Sequence, residues 1–372
     1  MMNRIQQIGA LGQAIWFDNI SRDLLQSGEL ANLIDEGLTG VTSNPAIFQK
    51  AIAGSSVYDE EISRLAADGK STLEIYETLA MADVGAAADI LRPVYNETHG
   101  RDGFVSIEVN PKLANDTDGT VAEARRLYGT LNRPNVMIKV PATDAGLPAI
   151  TTLIGEGINV NVTLIFAVSM YERVMQAYLD GLRRFQQSGR PLGLVSSVAS
   201  FFVSRVDSLV DKVLEHRIKD GEGHLEPLYG LAAVANAKIA YARYREVFQG
   251  AEFEELRSVG ARVQRPLWAS TSSKNPNYPA TKYVDPLIGV NTVNTVPPQT
   301  LVAIREQAVV GQTIEDGLDH AERVMAELAG IKVDMEWVTA CLLDEGVKLF
   351  VDAFDKLLAD IDTKRSKLRQ SA

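Results

Sequence analysis

Residues with chemistry to offer recur inside short β-patterned runs. Asp18 stands in AIWFDN (14–19), Glu108 in FVSIEVN (104–110), Lys139 in VMIKVPA (136–142), and Asn161 and Thr163 in NVNVTLIF (159–166). Residues two apart on a strand share a face. Ile15 and Phe17 therefore oppose Trp16 and Asp18, and Val105, Ile107 and Val109 oppose Ser106 and Glu108. Val136, Ile138 and Val140 oppose Met137 and Lys139; Val160, Val162 and Leu164 oppose Asn159, Asn161 and Thr163. One face is aliphatic and the other carries a charge or an amide. A lysine there needs a reason, because stripping water from an ammonium ion is expensive. It can guard a sheet edge or snorkel from a strand end. It can balance Asp18 and Glu108 in a silent ion network, although such networks are costly to bury. Or it can be a nucleophile: desolvation favours the neutral form of an amine, and a neutral amine attacks a ketone to give a Schiff base.

Four more runs complete the strand pattern: GVTSN (40–44), LVSSVAS (194–200), PLWAST (266–271) and VNTVNTV (290–296). Helical patterns separate them. Strands alternating with helices imply crossovers and a parallel sheet, and this many units point to a (β/α)8 TIM barrel of the α/β class. An open doubly wound sheet would more often show a glycine-rich first turn, and NISRDLL after Asp18 is not one. In a barrel the polar faces share one lumen, and active sites lie at its C-terminal mouth. Thr42, Asn44, Ser200 and Ser270 then join the first group. Helical additions are expected at about 45–103, 204–262 and 298–364, with no linker dividing 1–372, so the reading is one domain. Ser71–Glu74 and Thr120–Glu123 have the form of capping boxes. Phe350, Phe354, Leu357, Leu358 and Ile361 form one apolar helix face, expected to pack on the chain's own core rather than on a partner. The tail TKRSKLRQSA reads as frayed.

Composition excludes several classes. The net charge is -11 and no basic stripe is present, which argues against a nucleic-acid surface. His99, His216, His224 and His320 lack metal-ligand spacing with one another or with Cys341, and no phosphate-cradling glycine motif occurs. Cys341, the single cysteine, sits in an apolar helical pattern and reads as core. No signal-peptide pattern opens the chain and no long apolar run could span a membrane, so a cytoplasmic location is expected.

The chain resembles the transaldolases, in their longer bacterial-type subgroup, over nearly its whole length. GVTSNPAIF, SIEVNP, IKVPAT, NVTLIF, SVASFFVSRVD and WASTSSKNP occur in the family's order. The resemblance implies a class I aldolase-type barrel in the non-oxidative pentose phosphate pathway. It would move a dihydroxyacetone unit from fructose 6-phosphate or sedoheptulose 7-phosphate to erythrose 4-phosphate or glyceraldehyde 3-phosphate. On that resemblance Lys139 matches the Schiff-base lysine and Asp18 the general acid/base. Glu108 matches the carboxylate that works through a water, which Thr163 helps to hold. Asn44 and Asn161 match positions binding the dihydroxyacetone hydroxyls, Ser200 lines the site, and Arg205 grips the phosphate with Ser270 beside it. Where many transaldolases carry a second phosphate arginine this chain has Ser272, with Lys274 two residues on. Lys274 would then act as a point charge without the bidentate fork. No metal, dissociable cofactor, nucleic acid or membrane is implied; monomer and homodimer both stay open. Rival functions for such a barrel are an aldolase releasing free dihydroxyacetone and a non-catalytic sugar-phosphate binder. The second predicts a broken set at Lys139, Asp18 and Glu108, and all three are in place.

Overall fold

Each β-patterned run is a strand of one closed parallel barrel in the computed structural model, which describes residues 2–371. The strands are β1 (Gln13–Phe17), β2 (Leu38–Thr42), β3 (Phe104–Glu108), β4 (Val136–Pro141), β5 (Val160–Ile165), β6 (Ser197–Phe202), β7 (Arg265–Ala269) and β8 (Thr292–Val296). They pair in sequence order, and β8 closes on β1. Outward aliphatics such as Val136, Ile138, Val140 and Val162 are fully buried beneath the helices. That is the expected consequence of a parallel sheet covered on its outer side.

The lumen is a packed plug rather than a pore. Trp16 fills it below Asp18, and β2 makes room with Gly40, where a Cβ would lie 2.5 Å from the indole ring. The buried indole Nε1 donates to Asp102 Oδ1 at 2.7 Å. Arg265 Nη1 donates to Asp102 Oδ2 at 3.0 Å, and its guanidinium lies 5.8 Å from the indole centroid. The Trp16 indole, the Asp102 carboxylate and the Arg265 guanidinium are thus paired with one another.

Three sets of helices extend the barrel. Pro45–Gly54, Asp59–Ala67, Thr72–Ile90 and Arg92–Glu97 lie between β2 and β3. Ser204–Lys219, Ala232–Phe248 and Ala251–Ser258 lie between β6 and β7, and Pro298–Gln307, Leu318–Gly330 and Met335–Ser371 follow β8. The Ser71–Glu74 capping box forms as its sequence predicts. The Thr120–Glu123 box does not. Helix Thr117–Leu131 begins a turn earlier because Asp116 caps it, accepting from Gly119 N at 2.9 Å.

The long C-terminal helix lies across the barrel mouth. Gly346 lets it approach β5: a Cβ there would sit 3.0 Å from Leu164 Cδ2. Phe354, Leu357 and Ile361 are buried, and the Phe354 ring meets Tyr76 edge-on at 5.5 Å. The apolar face is therefore spent within the chain. The tail, expected to fray, stays helical to Ser371; Lys364 pairs with Asp59 at 2.6 Å and donates to Ile52 O at 2.9 Å. Ala372 lies outside the described residues. Cys341 is half-buried rather than core, because it flanks the buried stripe of Val338 and Leu342. Among the described residues no helix is long and apolar enough to cross a membrane.

Candidate active site

The C-terminal ends of the strands and the turns after them enclose a cavity of about 610 Å³. Of the residues singled out in the sequence, Asp18, Asn44, Lys139, Thr163, Ser200, Arg205, Ser270 and Lys274 line it. Asn161 does not. It is fully buried one step behind the wall, where its Nδ2 donates to Ser106 Oγ at 3.0 Å and its Oδ1 accepts from Ser200 Oγ at 2.7 Å. Glu108 also lies off this wall, at a smaller cleft it shares with Asn44, Phe48, Tyr76 and Phe354.

Lys139 is 5% exposed. Its Nζ donates to Ser43 O at 3.0 Å, and the Phe350 ring centroid lies 5.9 Å away. Among the described residues it forms no ion pair with Asp18 or Glu108, although its charge acts on both carboxylates. Register puts Glu108 beside Lys139 on β3 and β4, and Asn161 beside it on β5.

Both carboxylates are held away from ordinary behaviour. Asp18 accepts from Thr42 Oγ1 at 2.7 Å. Burial pushes its pKa above the usual 3.8, against the pull of Lys139, the Thr42 hydrogen bond and Lys274. Glu108 is pushed up to about 7 by burial, with Lys139 pulling it down and Asp18 pushing it further up. Glu108 Oε2 and Thr163 Oγ1 are buried without a hydrogen-bond partner among the described residues. Such orphaned oxygens are uncommon and mark a place where a small polar molecule fits.

Asn44 caps helix Pro45–Gly54, accepting from Ile47 N at 3.0 Å, which leaves its NH2 group to donate elsewhere. That helix also carries Lys50 to the cavity wall. Arg205 sits in the first turn of Ser204–Lys219, over the Phe202 ring at 5.6 Å, and its buried Nη1 lacks a partner among the described residues. Burial holds its pKa below the ordinary arginine value, partly offset by Glu345. Lys274 Nζ donates to Ser272 Oγ at 2.9 Å. Burial lowers its pKa, and so do the like charges of Arg205 and Lys50. Ser270 has φ 55, a left-handed backbone rare for serine, and its Oγ is 3.1 Å from Ser204 Oγ. A cation cluster at a helix N-terminus is a ready site for a phosphate.

Sequence reading missed Lys50, Phe202 and Phe350. Lys50 had a findable signal, since Ile47, Lys50, Ala51 and Gly54 form one helical stripe following Asn44. Phe350 had none, because it comes from a helix remote in sequence.

Comparison with known proteins shows the family. The sequence pattern of the family described as Transaldolase/Fructose-6-phosphate aldolase matches residues 15–361. The chain is 45% identical to a transaldolase of Trichodesmium erythraeum over 98% of both chains. It is 46% identical to a transaldolase of Neisseria gonorrhoeae, over 97% of this chain and 100% of that one. With a transaldolase of Mycolicibacterium paratuberculosis the identity is 48% over 95% of both. With the family pattern running through the barrel and its C-terminal helix, the chain belongs to the transaldolase/fructose-6-phosphate aldolase family.

Proposed function

We propose that the chain is a transaldolase acting through a Schiff base on Lys139. The single observation that carries this reading is a nearly dry lysine in the same cavity as Arg205, Lys274 and Lys50. A ketose phosphate needs both: an amine to meet its carbonyl and cations to meet its phosphate. The relatives named above support the same activity.

The chemistry follows from the groups available. Neutral Lys139 attacks the donor C2 carbonyl. Glu108, whose pKa near 7 suits proton exchange in both directions, passes protons through a water while the carbinolamine loses its hydroxyl as water. The iminium formed draws electrons from C3. Asp18 removes the C4 hydroxyl proton, the C3–C4 bond breaks, and an aldose phosphate leaves. The electron pair remains on the Lys139-bound enamine of dihydroxyacetone. Asn44 and Ser200 hold its hydroxyls, with Asn161 fixing Ser200 from behind. An acceptor aldose phosphate enters, its C1 takes the pair, Asp18 returns the proton, and hydrolysis of the iminium frees the new ketose and Lys139.

In this reading the phosphate lies against Arg205, with Lys274, Lys50 and the hydroxyls of Ser270 and Ser272 around it. Residues 1–372 act as one barrel unit, located in the cytoplasm, on small sugar phosphates. The deciding assay supplies fructose 6-phosphate and erythrose 4-phosphate and follows sedoheptulose 7-phosphate and glyceraldehyde 3-phosphate. Release of free dihydroxyacetone at the same rate without acceptor would instead make the chain an aldolase.

A further inference from the structure

We propose that Glu108 exchanges protons and water with solvent by a route of its own, separate from the substrate mouth and relayed by Tyr76. The inference rests on the Schiff-base reading above. A neutral amine and a ketone give an iminium only by taking up one proton and setting free one water, and hydrolysis of the iminium reverses both. Both must move while a ketose phosphate occupies the cavity. Glu108 lies off the wall of that cavity and opens instead onto a cleft of about 20 Å³ behind it. That is room for about one water.

The lining of this cleft runs from Glu108 outward to Leu73, which is 39% exposed, and to the side chains of Glu77 and Glu123, 20% and 19% exposed. Tyr76 lines it too. Its ring is buried, with Phe48 edge-on at 5.9 Å and Phe354 edge-on at 5.5 Å. Burial pushes its pKa up, and so do the charges of Glu108, Glu77 and Glu123. One hydroxyl is thus within the field of the inner carboxyl and of both outer ones. The phenol keeps its proton, so it relays by accepting one proton on one side while giving up its own on the other. Glu108 Oε2 is buried without a hydrogen-bond partner among the described residues. A water in the cleft joins it to the Tyr76 hydroxyl, and one bridging water is within the reach of general acid/base transfer.

The outer carboxylates are held in place from one side. Arg126 pairs with Glu77 at 2.6 Å and with Glu123 at 3.1 Å. A proton taken from solvent there passes to Tyr76, through the water to Glu108, and on to the carbinolamine hydroxyl, which leaves as water. The electrons of the broken C–O bond go with that oxygen, and the nitrogen lone pair makes the C=N bond. Tyr76 touches no substrate and acts through Glu108.

The test is rapid-quench borohydride trapping with fructose 6-phosphate, in H2O and in D2O, on the full chain and on Tyr76→Phe, which keeps the ring and its packing. Failure of the parent to trap on Lys139 would overturn the Schiff-base reading, and this route with it. Tyr76→Phe should form the adduct about tenfold more slowly, short of the roughly 10²–10⁴-fold carried by a general acid/base itself. Its final yield and its KM should match the parent's, and its solvent isotope effect should be larger. Ala80→Val, which narrows the cleft with the hydroxyl in place, should slow the adduct in the same way. Parent rates in Tyr76→Phe, in a parent that traps, would send the protons through the mouth and overturn the route alone. So would slowing with an unchanged isotope effect, as loss of packing gives, or parent rates in Ala80→Val.

Discussion

Glu108 and Lys139 are register partners on β3 and β4, yet they form no ion pair, and the Glu108 carboxyl sits at a pKa of about 7. Its usual value is 4.5, so the folded chain binds this proton more tightly than the unfolded chain does. The stability this proton brings is present below 4.5 and is lost as pH rises through 7. At about 1.4 kcal/mol per pKa unit, the loss has a ceiling of roughly 3 kcal/mol. Glu108→Gln keeps the shape and removes the titration. Its melting temperature should gain on the parent between pH 5 and pH 8, while its turnover falls. A melting difference that stays flat across that range would show that Glu108 titrates as an ordinary carboxyl.

Lys139 should be captured by its own chemistry. Borohydride added with fructose 6-phosphate should reduce the iminium and leave a dihydroxyacetone-derived adduct on the peptide containing Lys139. Lys139→Met should abolish both the adduct and the transfer. An adduct on any other lysine, or none, would remove the nucleophile from the proposed mechanism.

The barrel was legible because its strands alternate aliphatic and polar residues, and the polar set includes Asp18, Glu108, Lys139 and Thr163. Period two fixes which side chains share the lumen. It does not fix their depth. Asn161 was expected at the wall and lies behind Ser200, because hydrogen bonding to Ser106 and Ser200 draws its amide into the plug. Helix contributions were harder to read. Phe350 reaches Lys139 only because Gly346 lets a remote helix close on Leu164, a packing event with no local pattern in sequence. Arg265 was invisible for the same reason: the barrel, not spacing along the chain, brings it to Asp102 and Trp16.

Arg205 and Lys50 separate phosphate grip from chemistry. Arg205→Ala should raise KM for fructose 6-phosphate roughly ten- to a hundredfold, the range for losing hydrogen bonds to a charged group. KM for an unphosphorylated donor should change little. Lys50→Ala should act in the same direction but less, since an exposed ammonium is better screened. Equal effects on both donors would mean that these cations shape the cavity and do not hold phosphate.

Asp18 accepts from Thr42 Oγ1, and Thr42 Oγ1 lies 2.6 Å from Thr295 Oγ1, so the carboxylate is oriented from two neighbouring strands. Asp18→Asn removes the base and should lower kcat by about 10²–10⁴-fold. Binding of the donor and borohydride trapping should survive, because carbinolamine formation precedes C3–C4 cleavage. Thr42→Val should lower kcat far less and move the acid limb of its pH profile upward, since the hydrogen bond holds the Asp18 pKa down. Loss of trapping in Asp18→Asn would assign Asp18 to Schiff-base formation instead.

Phe350 is an aromatic ring that the C-terminal helix brings to Lys139. A transferase must keep its enamine from water until the acceptor arrives, because protonation at carbon followed by hydrolysis releases free dihydroxyacetone. An apolar ring over the amine lowers water access and keeps charged groups poorly solvated. Phe350→Ala should therefore raise the ratio of dihydroxyacetone release to transfer several-fold, and Phe350→Leu should restore most of the parent's ratio. The measurement is dihydroxyacetone formed from fructose 6-phosphate with and without erythrose 4-phosphate. Phe350 is half-buried and its neighbours Phe354 and Leu357 anchor the helix independently, so the fold should survive the change. An unchanged ratio in Phe350→Ala would mean that the helix covers the mouth without governing the fate of the intermediate.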